Sequence, residues 1–276
     1  MLCPQACNIY KEGGAICRAP IENNFYNPMI DHQNTIIVIP ARMAASRLPG
    51  KPLADIHGVP MIVHVWRRAM EAKLGHVLVA AGDSAIAAVV REAGGDAIVT
   101  PANLPSGSDR VAAALALRDA IQQFSHVVNL QGDLPTIDPL AVRRCLAGLT
   151  NDGVDISTIA AKINTEEDVA NPNIVKAIVP LGEAREVAFA RDFVRVVGQE
   201  HVAPFWHHIG IYAYRRESLQ RFVALPQSAR EKERSLEQMR ALDNGMKIAV
   251  VQVDSVPLGV DAPADLETAR RILKDQ

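Results

Sequence analysis

Three cations, a glycine and several small residues share one short loop early in the chain. The segment 41–53 reads ARMAASRLPGKPL, and its positive charges are Arg42, Arg47 and Lys51. Small residues let the backbone approach an anion, while the cations offset its charge. The loop is neither a Walker loop nor a dinucleotide-binding turn, because the Gly-Lys-Ser/Thr and Gly-x-Gly-x-x-Gly patterns are missing. Composition alone is equally consistent with a polyphosphate site and with an ordinary solvated basic loop.

Two aspartates are candidate ligands for Mg²⁺. Asp133 follows the apolar run 126–130 through a glycine, and Asp261 lies in the segment GVDAP near the end of the chain. Magnesium often takes one or two protein carboxylates, and substrate phosphates complete its coordination. For Asp261, the residues alone favour a different role, the capping of a C-terminal helix that has Asp265 and Glu267 in its first turn.

Other polar residues are weaker candidates. The turn 106–110, SGSDR, is suited either to contact with a base or sugar or to a capped helix start, and the cap is the stronger interpretation. His207 and His208 precede a strand-like run and either orient a ligand or satisfy structural hydrogen bonds. The sequence shows no Ser-His-Asp or Cys-His nucleophile set and no His-Glu metal cluster.

The elements that position these residues alternate between strand and helix. Apolar runs and helical periodicity predict strands at 36–39, 77–80, 97–99 and 126–130, and helices at 61–72, 84–93 and 109–123. This alternation is typical of a parallel, doubly wound α/β sheet. Ligands bind beyond the carboxyl ends of the strands in such sheets. The loop 41–53 follows the first strand, which shifts the balance toward phosphate binding.

The second half of the chain is richer in strands. Strands are predicted at 155–163, 174–179, 209–214 and 247–253, and a closing helix at 264–274. We therefore expect a single α/β domain over 34–276, with a strand-rich lobe at roughly 154–214. Residues 1–33 have no period and are predicted to be a disordered or loosely attached extension. We hypothesise that translation starts at Met29.

Composition excludes several classes of protein. The chain has 276 residues, a net charge of −2 and 22% charged residues, which argues against a general nucleic-acid binder. No apolar run approaches the roughly 20 residues that cross a bilayer, so we expect a cytoplasmic protein without a membrane partner. The cysteines are predicted to be reduced thiols rather than a zinc site, because no His or Cys follows at zinc-type spacing. They are Cys3, Cys7, Cys17 and Cys145.

Taken in order, the motifs from Thr35 to the end of the chain resemble the 3-deoxy-manno-octulosonate (Kdo) cytidylyltransferases, also called CMP-Kdo synthetases. The phosphate loop alone is similar to the wider sugar nucleotidylyltransferase group, and the segment 208–215, HIGIYAYR, narrows the resemblance to Kdo. The other matching segments are 39–42, 46–53, 60–65, 106–108, 128–133, 171–176, 236–240 and 259–267.

The resemblance implies an α/β sandwich of the nucleotide-diphospho-sugar transferase type, with a mostly parallel central sheet and a strand-rich lobe that pairs two subunits into a homodimer. The implied reaction is that of a magnesium-dependent nucleotidyltransferase. It transfers CMP from CTP to the anomeric hydroxyl of Kdo, releases pyrophosphate and provides CMP-Kdo for lipopolysaccharide biosynthesis. The implied substrates are CTP and Kdo, and the implied cofactor is Mg²⁺.

The resemblance also implies roles for individual residues. Arg42, Lys51 and Asp133 would be catalytic. Asp133 and Asp261 would hold magnesium, which replaces the capping role preferred for Asp261. The implied nucleotide-binding residues are Pro40, Ala41, Arg42, Ser46, Arg47, Lys51, Ser106, Gly107 and Asp133. The implied residues of the sugar-acid pocket are Gln131, Arg191, His208, Tyr212, Glu237 and Gln238.

Two departures from the family pattern leave an alternative substrate open. Leu134 stands where family members usually have glutamate after Gln-Gly-Asp, which removes one negative charge near the metal. The usual Ile-Pro is missing after Arg191. A related acidic sugar, such as an amino-substituted Kdo, is therefore the alternative substrate. A glycosyltransferase would need an Asp-x-Asp motif, and a catalytically inactive binding protein is a poor match because the loop cations and both carboxylates are present.

Overall fold

The structure is a computed structural model that describes residues 32–44, 47–151, 153–182 and 186–275. Several residues named in the sequence analysis lie outside the described residues, namely Ser46, Cys3, Cys7, Cys17 and the hypothesised start at Met29.

Strands and helices alternate through the first half of the chain, as predicted. The strands are β1 (Thr35–Ala41), β2 (Asp55–Ile56), β3 (Val59–Pro60), β4 (His76–Ala81), β5 (Asp96–Val99), β6 (His126–Asn129), β7 (Ile156–Lys162), β8 (Lys176–Ile178), β9 (Val187–Phe189), β10 (Asp192–Val194), β11 (Trp206–Arg215) and β12 (Ile248–Val253). The α-helices are α1 (Met61–Glu71), α2 (Ser84–Glu92), α3 (Gly107–Arg118), α4 (Pro139–Ala147), α5 (Glu166–Ala170), α6 (Arg216–Ala224), α7 (Ala229–Arg234), α8 (Met239–Asp243) and α9 (Pro263–Ile272). Short 3₁₀ turns lie at His32–Asn34, Lys51–Leu53, Gly148–Thr150 and Leu273–Asp275.

Ten of the strands form one mixed sheet. Its main order is β5-β4-β1-β6-β11-β7-β12-β9. The two remaining strands lie off this path: β8 pairs with β11, and β10 pairs with β8. The neighbours β5, β4, β1 and β6 are parallel, as are β7 and β12. β11 runs antiparallel to both β6 and β7, between which it lies. The expected α/β fold with a mostly parallel central sheet is confirmed.

Helices cover both faces of this sheet. β1 is buried along its whole length, and its side chains alternate between the two hydrophobic clusters. Ile37 and Ile39 pack in the cluster that includes α1, α2 and α4, whereas Ile36 and Val38 pack in the cluster that includes α3 and α6. A strand buried on both faces has an uninterrupted apolar run, which is why β1 could be predicted from the sequence.

The predicted helix 109–123 differs from the observed α3, which spans Gly107–Arg118. It ends early because the buried carboxylate of Asp119 accepts hydrogen bonds from the backbone nitrogens of Gln123 and Phe124 at 2.9 and 3.2 Å. These bonds close a turn, and Gln122 adopts a positive φ of 57° within it. A side chain that competes for backbone groups ends a helix that periodicity alone would continue.

The strand-rich segment at 154–214 supplies β7 to β11, and these strands do not form a sheet of their own. β7 and β11 are central strands of the main sheet, with Ile156 to Lys162 paired along β11 except at a bulge between Ile209 and Tyr212. Only β8, β9 and β10 lie off the centre. The core of the domain therefore includes this segment.

Candidate active site

A cavity of about 350 Å³ opens beyond the carboxyl ends of β1 and β6. This is the edge of an α/β sheet where ligands are expected to bind. Its lining combines the loop after β1, the start of α3, the loop after β6 and one residue from the approach to α9. The lining residues are Pro40, Ala41, Arg42, Ala44, Arg47, Lys51, Pro52, Leu104, Ser106, Gly107, Arg110, Gln131, Gly132, Asp133 and Asp261.

The loop after β6 comes very close to the end of β1 at Gly132. A Cβ atom added to this glycine would lie only 2.8 Å from the carbonyl oxygen of Pro40. Because backbone cannot yield as a flexible side chain does, only glycine permits this approach. The close contact brings Asp133 beside the basic loop.

Lys51 bridges two carboxylates from distant parts of the chain. Its Nζ lies 2.9 Å from Asp133 Oδ2 and 3.1 Å from Asp261 Oδ1. Arg47 forms a second, exposed ion pair with Asp261 at 3.1 Å. Burial by itself lowers the pKa of Lys51, but the two carboxylates outweigh it and the net shift is upward, so Lys51 is cationic at neutral pH.

A backbone contact holds the two carboxylate segments together. The nitrogen of Val260 donates to the carbonyl oxygen of Asp133 at 2.9 Å. Val260 is fully buried in a small hydrophobic cluster with Ile56 and Leu266 of α9. This packing anchors the segment that carries Asp261 against the loop after β6.

The capping role that the residues alone favoured for Asp261 is wrong. Ala262 occupies the N-cap position of α9, and the side chain of Asp265 accepts hydrogen bonds from the nitrogens of Asp261 and Ala262 at 3.0 and 2.8 Å. Asp265 satisfies the helix start, so the carboxylate of Asp261 faces the cavity and its cations.

Ser106 is the N-cap of α3, as its motif suggested, and it also lines the cavity. Its hydroxyl accepts from the nitrogen of Asp109 at 3.2 Å. The same hydroxyl lies 2.7 Å from Asp109 Oδ2 and 2.7 Å from Glu237 Oε1, and donates to one carboxylate at a time. The helix start is thereby connected to the segment 237–238.

Arg110 lines the cavity; it ends the candidate turn 106–110, but sequence reasoning assigned it no role of its own. It is buried and donates to Thr100 Oγ1, Pro101 O and Ala102 O at 2.6, 3.0 and 3.1 Å. Its burial and the nearby charge of Arg42 lower its pKa. A cation near the start of a helix is unfavourable, because it opposes the helix dipole. The unusual position of Arg110 was therefore the signal in the sequence that could have marked this residue as functional.

Of the predicted sugar-pocket residues, Gln131 is in the cavity lining, whereas Glu237 contacts the lining residue Ser106 and Tyr212 contacts Gln238. The hydroxyl of Tyr212 donates to Gln238 Oε1 at 3.2 Å, and Gln238 follows Glu237 directly. Burial raises the pKa of Glu237, although hydrogen bonds from Ser106 and Ser108 and the charge of Arg240 oppose the shift. A largely buried carboxylate held by hydroxyl groups is suited to accept hydrogen bonds from a polyol.

The structure does not bring Arg191 or His208 into the cavity lining. Arg191 is exposed between β9 and β10, where its backbone nitrogen donates to Ile178 O. His208 is buried, its ring nitrogen lies 3.0 Å from Thr158 Oγ1, and burial lowers its pKa to about 3. It is therefore neutral and satisfies a structural hydrogen bond, and the sugar-binding role of both residues remains a prediction.

Leu134 points away from the cavity. It is 7% exposed and packs in the hydrophobic cluster of α1 and α4. Its Cδ2 would lie 3.9 Å from a Cβ at Gly259, so it supports the segment that leads to Asp261. The residue that departs from the family pattern therefore contributes apolar packing beneath the two carboxylates.

Comparison with known proteins agrees with this geometry. At the level of fold, a nucleotidyl transferase from Methanothermobacter thermautotroptrophicus is similar, with a TM-score of 0.56 over 88% of this chain and 99% of that chain, at 15% identity. The sequence pattern of the cytidylyltransferase family matches residues 36–248. Fold and site thus define a nucleotidyltransferase.

Relatives of higher sequence identity show to which group of nucleotidyltransferases the chain belongs. The 3-deoxy-manno-octulosonate cytidylyltransferase of Paramagnetospirillum magneticum is 54% identical over 87% of this chain and 97% of its own length. That of Parvibaculum lavamentivorans is 56% identical over 86% of this chain and 92% of its own length. A CMP:2-keto-3-deoxy-manno-octonic acid synthetase solved in complex with CTP has a TM-score of 0.79 at 38% identity, over 88% of this chain and 99% of that chain. The chain belongs to the cytidylyltransferase family, among the 3-deoxy-manno-octulosonate cytidylyltransferases, and the resemblance drawn from its motifs is confirmed.

Proposed function

We propose that this protein transfers CMP from CTP to the anomeric hydroxyl of Kdo and releases pyrophosphate. The observation that carries the proposal is the convergence of Lys51, Asp133 and Asp261 beside Arg42 and Arg47 in one cavity. Relatives above 50% identity are named for this reaction. Because those relatives act on Kdo, Kdo is favoured over an amino-substituted sugar.

The cations of the loop after β1 would bind and neutralise the triphosphate. The anomeric hydroxyl oxygen forms a bond to the α-phosphorus, and the bond between the α-phosphorus and the bridging oxygen to the β-phosphate breaks. Pyrophosphate leaves with that electron pair, and the hydroxyl proton passes to solvent. Such phosphoryl chemistry depends mainly on positioning and charge neutralisation, which Arg42 and Lys51 provide.

The donor set at Asp133 and Asp261 fits Mg²⁺, and we propose that these two carboxylates hold it. Both approach a single cationic atom, Lys51 Nζ, so they already share one positively charged centre. The described residues contain no cluster of three or more metal-binding side chains, in keeping with an ion that takes few protein ligands. Bound magnesium would supply Lewis-acid charge neutralisation and favour ionisation of the attacking hydroxyl, so no side-chain base is required.

The sugar would lie next to Gln131, Tyr212, Glu237 and Gln238. The Ser106–Glu237 contact joins this group to the start of α3, where we place the cytosine and ribose. Nucleotide and sugar would therefore meet between the loops after β5 and β6. This arrangement leaves the phosphates toward Lys51 and the sugar hydroxyls toward Glu237.

We further propose a homodimer paired through the strand-rich segment and a cytoplasmic role in lipopolysaccharide biosynthesis. Phe189, Val196 and Val202 are 43, 72 and 84% exposed there, and exposed apolar side chains of this size are suited to an interface. Within the described chain, no helix is long and apolar enough to span a bilayer. Val202→Asp should shift the mass measured by light scattering from dimer to monomer, and an unchanged mass would contradict this interface.

The proposed reaction is tested by pyrophosphate release from the purified protein with CTP, Mg²⁺ and Kdo, each omitted in turn. Release that needs all three components supports the reaction and the metal together. Turnover with another sugar acid but not with Kdo would overturn the substrate alone. Activity that persists in excess EDTA would contradict the magnesium role, and no turnover with any sugar acid would favour a binding protein.

A further inference from the structure

A buried amide lies beneath the cavity, at the carboxyl end of β6. Asn129 is the last residue of that strand and is 1% exposed. It pairs with Val38 of β1 and with Tyr212 of β11, in the middle of the sheet. An apolar residue would be expected at such a position, because a buried amide costs free energy unless it is hydrogen-bonded.

One end of this amide contacts the cavity residue Gln131, and the other end contacts the buried Ser108 at the start of α3. Asn129 Oδ1 accepts from Gln131 Nε2 at 3.0 Å, and Asn129 Nδ2 donates to Ser108 Oγ at 3.4 Å. Ser108 is also 1% exposed and follows Gly107 in the first turn of α3. The Asn129 side chain thus connects the start of α3 with the loop after β6.

The Gln131 side chain lies next to two glycines, with its amide near Gly107 and its Cγ near Gly210. A Cβ at Gly107 would be 3.7 Å from Gln131 Oε1 and 3.8 Å from its Nε2. A Cβ at Gly210, in the bulge of β11, would be 3.9 Å from Gln131 Cγ. One N–H of the Gln131 amide donates to Asn129. The amide oxygen Oε1 is then an acceptor on the side of Gly107, at the start of α3.

We infer that Asn129 is a positioning residue that acts through Gln131. Its Oδ1 holds the Gln131 amide in one of the two orientations that differ by exchange of oxygen and nitrogen, and Ser108 anchors Asn129 in turn. The Gln131 oxygen then accepts from a substrate hydroxyl without first having to turn. The inference rests on the proposed function, since the hydroxyl belongs to a substrate of that reaction.

A double-mutant cycle tests the inference. Asn129→Leu keeps the side-chain volume but removes the acceptor, and Gln131→Ala removes the group on which it acts. We expect each single substitution to lower kcat/KM for Kdo at saturating CTP by about tenfold or more. The double variant should be no slower than Gln131→Ala alone, because a positioning residue has no effect once its target is gone. Losses that multiply in the double variant would overturn the inference.

Matched variants separate positioning from stability. Ser157→Ala changes another fully buried polar side chain of the same sheet, outside the cavity lining, and should leave kcat/KM unchanged. Asn129→Asp keeps the acceptor for Gln131 and should retain more activity than Asn129→Leu at equal folded fraction. Should Asn129→Leu fail to fold, the cycle is run with Ser108→Ala, which removes only the anchor, and the same non-additivity is expected.

The activity of the wild-type protein shows whether the proposed function fails or only the positioning role of Asn129. A wild type that releases no pyrophosphate from CTP and Kdo would overturn the proposed function and this inference with it. An active wild type with multiplicative losses in the cycle would overturn the positioning role alone.

Discussion

Lys51 Nζ lies 2.9 Å from Asp133 Oδ2, although the two residues are 82 positions apart in the sequence. The lysine is only 15% exposed and also contacts Asp261, which is 210 positions away. One cation therefore organises two carboxylates that the chain delivers from separate loops. Because Lys51 and a metal ion would both be attracted to these carboxylates, the charge balance of this trio governs how the site receives a polyphosphate.

Asp133→Asn should remove most activity and leave CTP binding partly intact. The amide keeps the shape of the side chain but lacks the charge that would hold magnesium, and the loss of such electrostatic stabilisation costs about a hundredfold or more in kcat. Steady-state kinetics and CTP titration calorimetry measure the two effects. Asp138→Asn, at the N-cap of α4, is the matched control and should be nearly neutral, since asparagine also caps helices. Turnover of Asp133→Asn near the wild-type rate would refute the metal role.

Lys51→Met should raise the KM for CTP roughly ten- to a hundredfold, which corresponds to the about 1.5–3 kcal/mol of a charge-assisted hydrogen bond. Methionine keeps the unbranched stem but leaves Asp133 and Asp261 without their shared cation. We expect magnesium alone to raise the melting temperature of this variant more than that of the wild type. The exposed Lys162, changed to methionine, serves as the control. An unchanged KM for CTP would argue against phosphate binding by Lys51.

Gly132→Ala should destabilise the protein by about 1–3 kcal/mol, the usual cost of overpacking, and should lower kcat. The new methyl group would lie 2.8 Å from Pro40 O, so the loop that carries Asp133 must move away from β1. Urea unfolding and pyrophosphate release measure the two effects. Gly182→Ala is the control, because a Cβ there would meet no atom of the described residues within 4 Å. Normal stability and activity of Gly132→Ala would show that the close approach is not needed.

His208→Gln should weaken the acid dependence of stability. Burial lowers the pKa of His208 to about 3 in the folded state, so between that value and its ordinary pKa near 6.5 only the unfolded chain takes up the proton. The free energy of unfolding therefore falls as pH falls, and this residue accounts for a loss of order 1–2 kcal/mol between pH 7 and pH 5. Urea midpoints at the two pH values measure the loss, which should be smaller in the variant. His64 and His207, whose pKa values burial also lowers, titrate in both proteins. Equal pH dependence in both proteins would contradict the buried, neutral state of His208.

Much of the fold could be predicted because its signals are local. The strand β1, the helices α1 and α2 and the loop with Arg42 and Lys51 all follow from periodicity, capping and charge within short windows. Where a side chain competed with the helix backbone, as Asp119 does after α3, the predicted boundary was wrong. The order of the strands in the second half was not predictable, since β11 lies between β6 and β7 through pairings of distant residues.

The candidate site also has features that the sequence could predict and features that it could not. The sequence by itself determined the chemistry of its parts, namely the basic loop, the aspartate behind Gly132 and the motifs that placed the chain among the cytidylyltransferases, because residue types and short spacings carry that information. The tertiary structure decided which parts meet. It assigned the capping hydrogen bonds of α9 to the side chain of Asp265 and left the carboxylate of Asp261 beside Lys51. It also placed Asn129 beneath Gln131 and left His208 in a structural hydrogen bond. The physical reason is that strand order and burial join residues far apart in the chain, and no local pattern records such contacts.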